Sequence, residues 1–213
     1  MTVAQRSVGT SSPRAKVVLV DDDPLFLNAL SRVLRFAGYD VEAFADPQQV
    51  LGRAPDDSPC CMVLDLRMPE LDGLALMDAL VAARVHPHIV FLTGHGDVPT
   101  AMTAMKRGAV DFLTKPVNTQ DLLDAVACAV TRDAEARATR AALHGAQALL
   151  TRLTPREREV CELVAQGKLN KEIASELGPA EKTVKVHRGR ALKKLHVSSV
   201  AELVRLLDRA RAG

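Results

Sequence analysis

Residues 16–44, KVVLVDDDPLFLNALSRVLRFAGYDVEAF, contain the pattern that decides the fold. The opening KVVLV is short, apolar and rich in β-branched residues, as a strand buried on both faces requires. Three consecutive acids follow, Asp21, Asp22 and Asp23. Residues 25–36 then repeat apolar side chains at helical spacing, and residues 41–44 form a second short strand. Strand, acidic turn, helix, strand is the opening unit of a parallel α/β sheet.

The same rhythm continues outward. Pro47 opens a helix near Val50, and the apolar runs at 60–64 (CCMVL), 89–92 (IVFL) and 110–113 are three further strands. Helical patterns at about 73–84, 98–107 and 119–131 separate or follow them. Five strand-helix repeats predict an α/β fold, a five-stranded doubly wound parallel sheet. Residues 132–150 are rich in Ala and Arg without proline, and they predict a helical linker prolonging the fifth helix.

From 151 onward every signal is helical. Thr154-Pro155-Arg156-Glu157 has the form of a capping box with proline at the first helical position, and Gly167 closes that helix. Asn170 is the expected cap of a short helix ending at Gly178. A third helix is predicted over about 181–195, and a fourth from Ser199, with Glu202 completing a second box. Four short helices with a Gly-Pro turn before the third predict an all-α, four-helix helix-turn-helix domain. The expected organisation is a disordered stretch over 1–14, an α/β domain over 15–131, a linker over 132–150 and a helical domain over 151–213.

Charge divides along the same line. Residues 1–150 carry 14 Lys and Arg against 18 Asp and Glu, a net of −4, while 151–213 carry 14 against 8, a net of +6. A polyanion partner is therefore expected for the second part only. Aromatic residues make up 3% of the chain with no Trp, which argues against a base-stacking platform for single strands. No apolar run approaches the roughly 20 residues of a membrane span, and the polar residues 1–14 lack the apolar core of a signal peptide. Cys60, Cys61, Cys128 and Cys161 fit neither a zinc ribbon nor a redox pair. Buried reduced thiols, and hence a cytoplasmic protein, are the expectation.

Ligands of open α/β sheets bind at the carboxyl ends of the strands. There the sequence places Asp21-Asp22-Asp23 after the first strand, Asp65 after the third, Thr93 after the fourth and Lys115 after the fifth. Clustered carboxylates repel unless a hard cation lies between them, and Mg²⁺ suits such oxygen ligands. A metal beside a carboxylate, with a lysine and a hydroxyl opposite, fits phosphoryl transfer with Asp65 attacking in line. A lone strand-end Asp is more often a helix cap and a lone Lys is usually solvated; Asp46 and Asp72 keep those simple readings, as helix cap and turn residue. Acids, hydroxyl and lysine at four strand ends together point to function.

These motifs, Val20-Asp21-Asp22-Asp23, Leu64-Asp65-Leu66-Arg67-Met68-Pro69, Leu92-Thr93-Gly94-His95-Gly96-Asp97 and Lys115-Pro116, resemble receiver domains of two-component response regulators over about residues 15–130. TGHGDVPTAMTAMKRGAVDFLTKP (93–116) is similar to the FixJ-type subgroup. The resemblance implies a flavodoxin-like receiver with Asp65 as phosphoacceptor. It implies Asp22 as a direct Mg²⁺ ligand beside Asp65, Asp21 acting mainly through water, and the Arg67 backbone carbonyl completing the set. Thr93, Lys115 and the aromatic Phe112 would form the switch, with a cis bond at Lys115–Pro116. Val117 stands where this family usually has Phe.

Between Lys182 and Lys194 the chain has six basic residues and no acid. Val184, Ala191, Leu192 and Leu195 form one helical stripe; Lys182, Lys185, Val186, Gly189, Arg190 and Lys193 fall on the outer faces. One-sided charge on the third helix suits entry into the major groove, whereas a merely solvated face usually mixes Glu with Lys. Residues 153–206 resemble the DNA-binding domain of the NarL/LuxR class. Lys185, Val186, Gly189 and Arg190 would then face bases or nearby backbone, and Arg188 at most a phosphate. Two departures weaken this helix: Ala180 stands where the class usually has a Ser or Thr cap, and Gly189 lies inside it, each costing about 1 kcal/mol.

The reading expected is a phosphorylation-activated transcriptional regulator, not an enzyme beyond Mg²⁺-dependent self-phosphorylation and slow self-dephosphorylation. Its expected partners are a sensor histidine kinase, double-stranded promoter DNA, a second copy on phosphorylation, and RNA polymerase as an activator's target. A haloacid-dehalogenase-type phosphatase needs a second Asp two residues after its nucleophile, where this chain has Arg67. A receiver-like scaffold without phosphorylation is disfavoured by the full set of pocket residues. An FMN-binding flavodoxin is excluded by the missing Ser/Thr-rich phosphate loop after the first strand.

Overall fold

The computed structural model describes residues 14–51, 60–94 and 98–211. The chain divides into two compact units, residues 1–136 and 137–213.

The first unit contains strands β1 (Lys16–Val20), β2 (Asp40–Phe44), β3 (Cys60–Asp65), β4 (His88–Thr93) and β5 (Asp111–Thr114). Its helices are α1 (Pro24–Phe36), α2 (Gly73–Ala82), α3 (Val98–Lys106) and the start of α4 (Thr119–Leu150). The strands form one sheet in the order β2-β1-β3-β4-β5, and every pairing is parallel. Two cores cover its faces, as the doubly wound expectation requires. Leu27, Leu30 and Leu34 of α1 pack with Leu122, Ala125, Val126 and Ala129 of α4 against one face. Leu76, Met77 and Leu80 of α2 and Ala104 of α3 pack against the other. Sheet order reverses between β1 and β3, which opens a crevice at their carboxyl ends.

Asp23 caps α1, accepting from the N–H groups of Leu25 and Phe26 at 2.8 and 3.2 Å, and Pro24 sits in the first turn. The helix expected after Pro47 is a single 3₁₀ turn, Pro47–Val50, capped by Asp46. Asp72 is not merely a turn residue: its carboxylate accepts from the Ala75 N–H at 2.7 Å and caps α2. Among the described residues no helix is long and apolar enough to cross a membrane.

The second unit holds the end of α4 and helices α5 (Pro155–Ala165), α6 (Asn170–Leu177), α7 (Glu181–Lys194) and α8 (Val200–Arg211). They close on a core of Val160, Val164, Ile173, Val184, Leu195 and Leu203, each nearly inaccessible to solvent. Both halves of the Thr154–Glu157 capping box are present.

Two expected caps differ. Asn170 is the first residue of α6, not its cap; Leu169 occupies the cap position, and its N–H is satisfied by the Glu172 carboxylate at 2.7 Å. Ser199 caps α8 through the Glu202 N–H, but the Glu202 carboxylate returns to Ser198, one residue early. The cysteine expectation also needs correction, since Cys61 and Cys161 are buried free thiols but Cys128 is exposed on α4. Burial pushes the Cys161 thiol up to about 11, which keeps it protonated and inert.

Candidate functional site

Parallel pairing brings the strand ends to one edge. Asp21 directly follows β1, Asp65 ends β3, Thr93 ends β4 and Lys115 directly follows β5. Main-chain bonds hold these ends in register: Asp21 N–H to Phe44 O at 3.2 Å, Leu66 N–H to Leu92 O at 2.8 Å, and Lys115 N–H to Thr93 O at 2.6 Å. Residues spread over nearly a hundred positions thus meet in the crevice beside the β1–β3 reversal.

Asp21, Asp22 and Asp65 each offer an oxygen within 4.8 Å of the others. Asp21 and Asp65 are buried while Asp22 is exposed, so the cluster opens to solvent on one side. Lys115 reaches into it, with Nζ 2.6 Å from Asp21 and 3.2 Å from Asp65. The same ammonium lies 4.3 Å from the centre of the Phe26 ring, a cation–π contact that fixes the lysine on its other side. Burial pushes the Asp21 carboxyl above its ordinary value of 3.8, against the Lys115 hydrogen bond that pulls it down. Burial likewise pulls the Lys115 ammonium down, but Asp21 and Asp65 overcome it and hold it above 10.5.

Three carboxylates facing one ammonium leave excess negative charge in a part-buried space, and a small hard cation fits that donor set. Asp23, the third acid after β1, belongs to the α1 cap and not to the cluster. Thr93 is buried at 1% exposure, and Phe112 is half-buried against the core beneath α2 and α3. Arg67 is exposed just past Asp65. Lys115–Pro116 is a cis bond. His95, two residues after Thr93, lies outside the described residues.

Gly73 is a site residue that sequence reading missed. A Cβ built on it would lie 2.4 Å from the Asp65 carbonyl oxygen and 3.0 Å from the Phe91 ring. Its N–H donates to Leu66 O at 3.0 Å, so α2 begins flush against the loop that presents Asp65. The available signal was the Asp-Gly pair at 72–73, a small residue directly after a cap.

Val184 and Ala191 of α7 and Leu195 at its C-terminal cap are buried, and Lys182, Lys185, Val186, Gly189, Arg190 and Lys193 are all exposed. The expected outer face is therefore present as a cationic surface around an apolar Val186. Ala180 occupies the cap position without a side-chain bond. A Cβ on Gly189 would meet nothing within 4 Å, so packing in this chain does not require glycine there.

Two basic residues of α7 behave differently. Lys194 donates to Glu157 at 2.6 Å, and that carboxylate, 3% exposed, also accepts from the Thr154 N–H at 2.9 Å. The Lys194 bond and then the Thr154 N–H hold the Glu157 carboxyl below its ordinary 4.5. Arg188 is half-buried and donates to Asn170 Oδ1 at 3.2 Å, which draws it away from the exposed face.

Comparison with known proteins agrees with both units. A family profile described as "Response regulator receiver domain" matches residues 17–127, and one described as "Bacterial regulatory proteins, luxR family" matches 151–207. The chain is 42% identical over 198 residues to nodulation protein W of Bradyrhizobium diazoefficiens, covering 93% of this chain and 87% of that one. It is 38% identical over 197 residues to the transcriptional regulatory protein FixJ of the same organism, covering 92% and 96%. Among solved structures, the response regulator StyR matches with a TM-score of 0.85 at 42% identity, covering 92% of this chain and 99% of that one.

Proposed function

Because this chain belongs to the response-regulator family, with a receiver domain followed by a LuxR-type DNA-binding domain, we propose that it takes a phosphoryl group on Asp65 and then binds promoter DNA through α7. Family membership implies a histidine kinase as partner of the receiver and DNA as partner of the second domain. The observation that carries the assignment is the meeting of Asp21, Asp22 and Asp65 around Lys115 at the β1–β3 crevice.

In the proposed reaction an Asp65 carboxylate oxygen forms the new bond to phosphorus. The bond from phosphorus to the donor's imidazole nitrogen breaks, and the electron pair leaves with the imidazole. Lys115 faces the phosphoryl oxygens and balances part of their charge, and the Thr93 hydroxyl donates to one of them. Asp22, Asp65 and the Arg67 carbonyl would hold Mg²⁺, with Asp21 acting through water; the bound ion would supply positive charge to the phosphoryl oxygens. Engagement of Thr93 draws Phe112 further inward, and that movement carries the signal to the surface of β5.

Phosphorylation then promotes pairing of receivers. A dimer offers two α7 helices to two half-sites, with Lys182, Lys185, Val186, Gly189, Arg190 and Lys193 on the DNA side. We assign it an activator's role, with RNA polymerase as the downstream partner, in the cytoplasm; the buried, reduced Cys61 and Cys161 are compatible with that compartment. Arg67 has five donors and no acceptor, so it does not activate a water opposite Asp65, and self-dephosphorylation is slow.

Incubation with a small phosphodonor and Mg²⁺, followed by mass measurement and gel filtration, tests the assignment. The wild type gains one phosphoryl mass and shifts to a dimer. Asp65→Asn, nearly isosteric, keeps its fold and does neither. An Asn variant that still gains the mass and dimerises refutes the site.

A further inference from the structure

Arg188, like Lys194, stands apart from the exposed cations of α7. Lys182, Lys185, Arg190 and Lys193 are exposed, whereas Arg188 is half-buried and its guanidinium donates to the Asn170 side chain. Asn170 is the first residue of α6, where its carboxamide could have served the helix terminus. The Asn170 oxygen receives Arg188 instead, and the Glu172 carboxylate accepts from the Leu169 N–H.

We propose that Arg188 is a positioning residue for DNA recognition, and that its bond to Asn170 sets the angle at which α7 leaves α6. The proposal rests on the DNA-binding reading above. In a helix-turn-helix the first helix crosses the DNA backbone and the second enters the groove. An error in the angle between them misplaces every base-reading side chain at once. The hydrophobic packing to which Ile173 of α6 and Val184 of α7 contribute in the common core is non-directional and tolerates rotation. A hydrogen bond from a planar guanidinium is directional and does not. The second tie, Lys194 to Glu157, anchors the far end of α7 to α5. The two bonds, separated along α7, orient the helix about two points.

This role and a phosphate contact differ in what they do to binding. Losing a phosphate contact weakens all DNA alike and lowers the slope of log K against log salt by about 0.9 per contact. Losing a positioning bond weakens the preferred sequence, leaves random DNA unchanged and preserves the slope.

The experiment uses the full chain treated with phosphodonor and Mg²⁺, a duplex that the wild type enriches from randomised 30-base-pair DNA, and an unenriched pool. Arg188→Met, Asn170→Ala and the double variant are compared at several salt concentrations, with melting curves for each. Asn170→Ala removes the acceptor while keeping every positive charge, so it tests the idea even where Arg188→Met fails to fold. Each single variant is expected to lose about tenfold on the enriched duplex, the worth of a charge-assisted bond. The double variant loses no more than either single one, and binding to the pool and the salt slope stay unchanged. Equal losses on both DNAs with a reduced slope for Arg188→Met, or wild-type selectivity for Asn170→Ala, overturn the proposal while leaving DNA binding intact. Failure of the wild type to enrich any duplex overturns the DNA-binding reading itself.

Discussion

Replacing Gly73 with alanine should damage the proposed phosphorylation site without touching any of its polar groups. The added Cβ would sit 2.4 Å from the Asp65 carbonyl oxygen, 3.0 Å from the Phe91 ring and 3.2 Å from the Leu66 Cα. Two of these neighbours are backbone and Phe91 is fully buried, so no flexible side chain can yield. Relief requires α2 or the Asp65 loop to retreat by roughly 1 Å, which also stretches the Gly73 N–H to Leu66 O bond. Overpacking of this kind costs about 3 kcal/mol at the upper end of its usual range. Alanine recovers about 0.7 kcal/mol by restricting the unfolded chain, leaving a net loss of about 2 kcal/mol. For a unit of this size the midpoint falls by about 8 °C. Because the displaced atom belongs to Asp65 itself, acceptance of a phosphoryl group should slow at least tenfold even well below the melting range. Thermal melting by circular dichroism and mass-monitored phosphorylation at 20 °C measure the two effects. An alanine variant that melts within 2 °C of wild type and is phosphorylated at the same rate refutes the argument.

Three further outcomes are expected. The folded-state carboxyl of Glu157 is held below 4.5 by Lys194, so its stabilising contribution is complete above that value and is lost as pH falls through the lower folded value; in acid titrations of melting, the gap between wild type and Glu157→Gln should therefore shrink, and a gap that widens in acid contradicts the pairing. Arg67→Asn supplies an amide acceptor next to the crevice and should shorten the phosphorylated lifetime from minutes or hours, read as decay after donor removal, and slower decay would reverse the assignment. Lys185→Ala should relax sequence preference while Lys193→Ala weakens all DNA alike, and equal losses on preferred and random duplexes for Lys185→Ala would remove it from base reading.

The strands, the parallel order and the acidic edge were legible because each leaves a local trace. Apolar runs such as KVVLV mark strands buried on both faces, and helical spacing marks the intervening elements. Once those are placed, parallel topology puts Asp21, Asp65, Thr93 and Lys115 at one edge without further information. The cationic face of α7 follows from angular spacing alone, and the exposed residues found there are those expected. Caps with a complete local signature, Thr154 with Glu157, were equally plain.

What was not legible depends on how separate elements approach one another. Asn170 has the chemistry of a cap, but its oxygen faces Arg188, eighteen residues away, and the short range of sequence patterns cannot register that competition. Glu157 satisfies its local box and also receives Lys194 from 37 residues away, which ties the end of α7 to α5. Cys128 lies in an apolar run yet faces solvent, because the side of α4 that packs is taken by Leu122, Ala125, Val126 and Ala129. Gly73 looks like any glycine after a turn until α2 is seated against the Asp65 carbonyl. Periodicity records which residues avoid water, a property each residue carries individually. Which partner a hydrogen bond finds, and whether a Cβ fits, are set by interhelical angles and ångström distances that exist only once the chain has packed.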